Sequence, residues 1–298
     1  MTATKLDRRQ AIATMAAGIG YCSTANADLP KQSRYEICAF IKFIQELSYA
    51  DLAAQMADMG FSGIEATVRK RGYILPERAE QELPRLAEAL DKEGLSIGIM
   101  ASDLKEATAE CEKLLRIASS VGITHYRLGY LRYDLSKPIK PQLVDHRKRL
   151  LELAALNKQI GMTGLYQNHA GATTVGSAVW DLAELFDGID PQQLAVAFDI
   201  RHATVEGGLN WQLHFRRIQP ILGAIYVKDF SWLPDEKGPM NRPLGTGRVD
   251  PEFFAILRRE YKGLFSLHVE YLPDDGLEKN LDALRRDHRV LSGLLGLT

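Results

Sequence analysis

Six glycines constrain the architecture more than any other feature of this chain. Gly60, Gly94, Gly122, Gly161, Gly223 and Gly263 each follow a stretch with helical apolar spacing and precede a short strand-like run. A glycine at that point ends a helix and turns the chain into the next strand. With the runs at 36–44 and 195–200, the pattern predicts eight strands alternating with helices. Ser48-x-x-Asp51 has the form of a capping box, and Asp250-Pro251 pairs a cap with a first-turn proline. Leu143, Leu150, Leu153 and Ala154 recur along one helical face. Eight such units predict the α/β class and a single (β/α)8 barrel. An open doubly wound sheet would carry a GxGxxG turn after its first strand, and none is present. No Pro/Ser-rich linker divides the chain, so one barrel domain is expected over residues 28–298.

Four strand-like runs in the second half stop at polar side chains rather than at turn formers. They are LYQNH (165–169), AVAFDIRH (195–202), AIYVKD (224–229) and SLHVEY (266–271). Barrels keep their chemistry at the carboxyl ends of their strands. Strand alternation puts Tyr226 and Lys228 on one face, Ser266, His268 and Glu270 on another, and Leu165, Gln167 and His169 on a third. The expected top layer is therefore Gln167, Asp199, Lys228 and Glu270. Asp229 alternates away from the interior and is expected to cap the following loop.

The first 27 residues read as an export signal. Lys5, Arg8 and Arg9 give a positive start, 11–21 is a short apolar segment, and Ala25-Asn26-Ala27 suits cleavage. The Arg8-Arg9 pair points to the twin-arginine route and hence to a periplasmic or otherwise exported protein. The segment is too short for a stable membrane anchor. With 37 Lys+Arg against 38 Asp+Glu, the chain lacks the basic surplus that a nucleic-acid partner would require. Cys38 and Cys111 lie in apolar or helical segments and read as buried free thiols, and no zinc pattern occurs.

The motifs YQNHAG, VGSAVWDL, FDIRHA, VKDFSW, PLGTG and LHVEY resemble the xylose isomerase-like barrel superfamily, in particular an exported bacterial branch of its sugar phosphate isomerase/epimerase group. The resemblance implies a metal site made of a Glu, an Asp, a His and a Glu after strands five to eight. Asp199 and Glu270 match that pattern, whereas Gln167 stands where the first Glu is expected and Tyr226 where the His is expected. The resemblance also places His202 beside the substrate. A divalent ion, Mg2+ or Mn2+, held by Gln167, Asp199 and Glu270 with His169 or His202 as supplements, stays open. So does its replacement by Lys228, acting as a fixed charge, as a base, or only as a salt-bridge partner.

The catalytic candidates are Glu270, Lys228 and His202, and the substrate-binding candidates are Glu65, Arg69, Arg127, His169, Trp211 and Trp232. Arg69 follows strand two, Arg127 lies in strand four, and both suit planar anions, while Lys70 and Arg71 read as solvated. His268 is expected to orient Glu270 from below. Trp211 and Trp232 fall in post-strand segments, where indoles stack on sugars, whereas Trp180 has the helical spacing of a core residue. No glycine-rich loop opens a helix near strands seven and eight, so a phosphate site is unsupported.

These features imply an exported enzyme acting on a small free or oxidised carbohydrate by proton abstraction next to a carbonyl, giving isomerisation, epimerisation or β-elimination. A Gln cannot return a proton as Glu does, so a two-Glu shuttle is not available. The alternatives are a non-catalytic carbohydrate-binding barrel that has lost its metal, or a metal-independent glycoside-cleaving enzyme using Asp199 and Glu270 with water between them. An oligomer is compatible with either.

Overall fold

A computed structural model describes residues 35–232 and 238–297; the export-signal reading of residues 1–27 lies outside them. In chain order the elements are β1 (Tyr35–Phe40), α1 (Tyr49–Met59), β2 (Gly63–Thr67), α2 (Ala79–Asp91), β3 (Ser96–Ala101), α3 (Ala109–Ser120), β4 (His125–Arg127), α4 (Ile139–Ile160), β5 (Thr163–Gln167) and α5 (Val179–Leu185). The second half continues with β6 (Leu194–Asp199), α6 (Ile200–Gly207), α7 (Trp211–Ile218), β7 (Leu222–Val227), β8 (Asp229–Trp232), β9 (Pro239–Arg242), α8 (Pro251–Glu260), β10 (Gly263–Leu267) and α9 (Leu277–Leu295). Strands β1 to β7 and β10 close into one barrel, with β1 paired to both β2 and β10. All eight pairings are parallel, which gives the (β/α)8 barrel the sequence predicts. The remaining two strands, β8 and β9, form an antiparallel pair beyond the end of β7.

Local signals account for the element boundaries. Ser48 caps α1 by accepting the Asp51 amide, and Asp250 caps α8 by accepting that of Glu252. Gly60 closes α1 at φ 84 and Gly161 closes α4 at φ 78, left-handed angles that cost a glycine little. Gly223 is different: it lies inside β7, opposite a register shift in β6. A side chain there would come within 2.6 Å of Ala195 Cβ and 2.7 Å of Leu165 Cδ2, so close packing, not helix termination, is what Gly223 serves. The first strand ends at Phe40 rather than at 44, because Ile44 turns back to donate to the Ile41 carbonyl.

The main apolar layer lies between barrel and helices, where Leu143, Leu150, Leu153 and Ala154 are all buried. A smaller cluster, including Leu165, Ala195, Ala224 and Leu264, fills the barrel interior and forms the floor beneath the polar strand ends. Cys38 and Cys111 are buried free thiols, 38 in that inner cluster and 111 in the outer layer. Among the described residues no helix is long and apolar enough to cross a membrane.

Candidate functional site

The carboxyl ends of the strands meet in a cavity of about 120 Å3, lined by Phe40, Lys42, Arg69, Arg127, Tyr130, Gln167, His169, Lys228, His268 and Glu270. Alternation along β5, β7 and beyond β10 delivers Gln167, Lys228 and Glu270 to it as the sequence requires. Lys228 is 5 % exposed and its ammonium lies 2.8 Å from Glu270 Oε2 and 3.3 Å from Asp199 Oδ2. Burial opposes its charge, but Asp199 and Glu270 outweigh burial and raise its pKa above the ordinary lysine value. Lys228 is therefore an ammonium at neutral pH, which overturns its reading as a general base. Lys42 approaches the other Glu270 oxygen at 3.2 Å. Burial alone would raise the Glu270 pKa, yet Lys228, His268 and Lys42 hold it well below the carboxylate range.

Gln167 spans the neighbouring groups. Its amide nitrogen donates to Asp199 Oδ2 at 2.7 Å, and its carbonyl oxygen accepts from the Tyr130 hydroxyl at 2.6 Å. Gln167, Asp199 and Glu270 do not fit a divalent cation. The place between the two carboxylates is taken by the Lys228 ammonium, and Gln167 turns a nitrogen, not an oxygen, toward Asp199. Among the described residues no cluster of three His, Cys, Asp or Glu has a metal-holding arrangement. Asp199 is fully buried, accepts the His202 amide through Oδ1, and touches the cavity lining through Lys228 and Gln167. The carboxylate-pair reading thus meets an ammonium where it requires water.

Glu65 is placed differently from its expectation as a substrate contact. It is fully buried beneath the cavity and accepts from Arg127 Nε and the Tyr226 hydroxyl at 3.1 Å, from Ser266 Oγ at 2.5 Å, and from His268 Nε2 at 3.1 Å. Burial would raise its pKa, but His268, Arg127 and Ser266 bring it down to about 2. Tyr226 is consumed in this cluster rather than standing as a ligand. His268 joins Glu65 to the site, with Nδ1 3.8 Å from Glu270, and its expected orienting role is thereby shared with Glu65.

His169 lines the cavity and its ring lies 3.8 Å from that of His202, centroid to centroid. Burial and then the Lys228 charge lower His169 to about 4, and the same causes hold His202 well below its ordinary value. Both imidazoles are neutral at pH 7. His202 is 4 % exposed, packs behind His169 and takes an Arg201 contact on Nδ1 at 2.9 Å, so it backs the cavity wall. Asp229 behaves as expected, accepting amide hydrogens from Phe230, Gly245, Gly247 and Val249.

The tryptophans leave the site. Trp211 belongs to α7, is 3 % exposed and packs edge-on against Phe253, so the post-strand placement is corrected to a core helix residue. Trp232 ends β8, half-exposed and outside the cavity lining. Trp180 is the reverse case: it sits on α5, half-exposed under Arg217. The aromatic wall is instead Phe40, which stacks on His268 with a centroid separation of 4.3 Å, and Tyr130. Phe40 ends β1, Lys42 lies just beyond it, and Tyr130 follows β4. The strand-end rule applied to the first half as strictly as to the second would have found them.

Comparison with known proteins agrees with this frame. No curated protein matches the chain by sequence. A probable 3-DHS dehydratase, AsbF, from Bacillus anthracis is 16% identical, with a TM-score of 0.67 over 87% of this chain and 98% of that one. The apo form of 3-keto-D-glucoside 4-epimerase, YcjR, from E. coli is 15% identical, with a TM-score of 0.64 over 86% and 99%. A xylose isomerase-like TIM barrel protein from Mycobacterium smegmatis, solved in complex with magnesium, is 16% identical, with a TM-score of 0.61 over 87% and 97%. At these identities the likeness concerns the fold. The profile of one family spans residues 53–287, most of the barrel and all four polar strand ends, and the chain belongs to the xylose isomerase-like TIM barrel family.

Proposed function

We propose that the protein is a sugar isomerase/epimerase-like enzyme that takes a carbonyl-bearing, free or oxidised carbohydrate and removes the proton next to the carbonyl. The observation that carries this reading is the Lys228 ammonium, fixed between Asp199 and Glu270 and facing the cavity. A preorganised cation beside a carbonyl oxygen stabilises the negative charge that develops as the neighbouring C–H bond breaks. Lys228 supplies from the chain itself the charge that a divalent ion supplies elsewhere. Glu270 is the ionised carboxylate that reaches the cavity, and it accepts the proton.

The opposite wall carries Gln167, which cannot accept one, so Glu270 is the one carboxylate among the described residues that line the cavity. That supports β-elimination over two-base epimerisation: the C–H proton passes to Glu270, and a double bond forms in conjugation with the carbonyl. The β C–O bond breaks with its electron pair on oxygen, and the leaving oxygen is protonated from Glu270. The names of the solved neighbours, an epimerase of a 3-keto-glucoside and a dehydratase, fit this class. The N-terminal signal reading supports an unphosphorylated substrate.

The test is proton NMR in D2O with a 3-keto-glucoside, following exchange next to the carbonyl and release of the aglycone. Glu270→Gln should slow both by about a hundredfold to ten-thousandfold. Turnover that survives this change would sink the proposal, and binding without any exchange in the unaltered protein would identify the non-catalytic binding barrel instead.

A further inference from the structure

Three cations of the cavity are matched by carboxylates and one is not. Arg127 is paired with Glu65, while Lys228 and Lys42 share Asp199 and Glu270. Arg69 also lines the cavity, yet among the described residues its guanidinium makes no hydrogen bond or ion pair. Burial and then the Arg127 charge oppose its own charge, while Asp103 and Glu65 favour it without forming an ion pair. Arg69 therefore presents to the cavity a guanidinium that no carboxylate of the described residues pairs at ion-pair distance. A partly buried guanidinium without a partner costs free energy that an anionic ligand returns.

The loop that carries Arg69 is built to hold it there. Val68 bridges Ile74, the Arg69 amide donates to the Ile74 carbonyl, and the Gly72 amide donates back to the Arg69 carbonyl at 2.8 Å. The Tyr73 amide donates to Thr67 Oγ1 at 2.8 Å, and its hydroxyl reaches the Leu47 carbonyl at 2.6 Å. Within this turn Arg71 has φ 60, a left-handed angle that a non-glycine side chain keeps only when its surroundings impose it. The guanidiniums of Arg69 and Arg127 lie 5.9 and 6.0 Å from the centroid of the same Phe40 ring, so two planar donors share one apolar neighbour at the cavity edge.

We infer that the substrate is a sugar acid whose carboxylate is held by Arg69, with Arg127 behind it and the carbonyl end directed to Lys228. A planar carboxylate matches the guanidinium fork that Arg69 presents without a side-chain partner. The inference rests on the carbohydrate reading above and names the class of carbohydrate.

The test is calorimetric binding to the full chain of D-glucuronate, D-galacturonate and D-gluconate, against D-glucose and D-galactose. A hydrogen-bonded charge contact corresponds to about tenfold to a hundredfold in affinity, so at least one acid should bind tighter than its neutral parent by that margin. Arg69→Gln should abolish the preference, Arg69→Lys should keep part of it, and Lys70→Gln on the exposed part of the loop should leave it intact. Thermal melting of each variant checks that the fold is retained. Equal affinity for acids and neutral sugars, no binding of any acid, or a preference that survives Arg69→Gln would each overturn the inference. Because the readout is binding, acid recognition without turnover would remove the proposed reaction and leave the sugar-acid site standing. Turnover of neutral sugars that ignores Arg69 would do the opposite.

Discussion

A single ammonium decides what this barrel mouth is. Lys228 stands between two carboxylates where an ion with two positive charges would otherwise bring them together, and it cannot leave without exposing them to each other. Truncating one member of a buried charge set typically costs about 3 to 5 kcal/mol. Lys228→Ala should therefore lower the melting temperature and, unlike the parent, should regain part of the loss when Mn2+ is added, since Asp199 and Glu270 are then free to ligate it. A thermal-shift titration checks this, and equal insensitivity of both proteins to Mn2+ would contradict the view that the ammonium occupies a cation's place. At this scale the sequence was legible in part. The strand alternation gave Gln167, Asp199, Lys228 and Glu270 their common layer, because each follows a regular run. It gave no warning that Glu65 would be withdrawn beneath them, since that depends on four donors from three other strands reaching one point.

At the level of elements, the segment after β7 shows how a buried carboxylate organises irregular chain. Asp229 accepts four backbone amides and ties the start of β8 to the loop that leads into α8. Gly247 passes so close to the Phe230 carbonyl and the Asp229 carboxylate that any side chain would strike them. Each buried amide left without an acceptor costs about 1 to 3 kcal/mol. Asp229→Ala should therefore destabilise the protein by at least about 3 kcal/mol in denaturant unfolding, and a loss below about 1 kcal/mol would show that water replaces the carboxylate. The capping role was readable from alternation alone. Trp211 was not, because the Gly207-Gly208-Leu209-Asn210 turn that ends α6 reads as the start of a loop, whereas α7 opens at Trp211 directly after it. Trp180 went the other way, since helical spacing gives the face of a residue but not whether another element covers that face.

For the molecule as a whole, histidine is the group that acid will find first. His125, His146, His169, His202, His214 and His288 have pKa values lowered first of all by burial. A lowered histidine favours the neutral form in the fold. Its contribution is complete above its unfolded value near 6.5 and is lost as pH falls toward the folded value, about 4 for His169. Glu65 adds a second loss at lower pH, between the ordinary carboxylate range and about 2. The melting temperature should thus begin to fall below about pH 6.5, well before carboxylates titrate, and replacing His169 and His202 together by Asn should make that fall shallower. A melting temperature flat from pH 7 to pH 5 would refute this.

The Glu65 cluster also bears on how such a protein can change over time. One carboxylate from β2 fastens β4, β7 and β10 at a single height, so the base of the cavity behaves as a keystone shared by distant parts of the chain. Losing any one donor leaves the others mismatched, and their effects will not add independently. Drift in substrate preference is thereby confined to the upper loops, where Arg69 and Lys42 can be exchanged one at a time while the keystone stays in place.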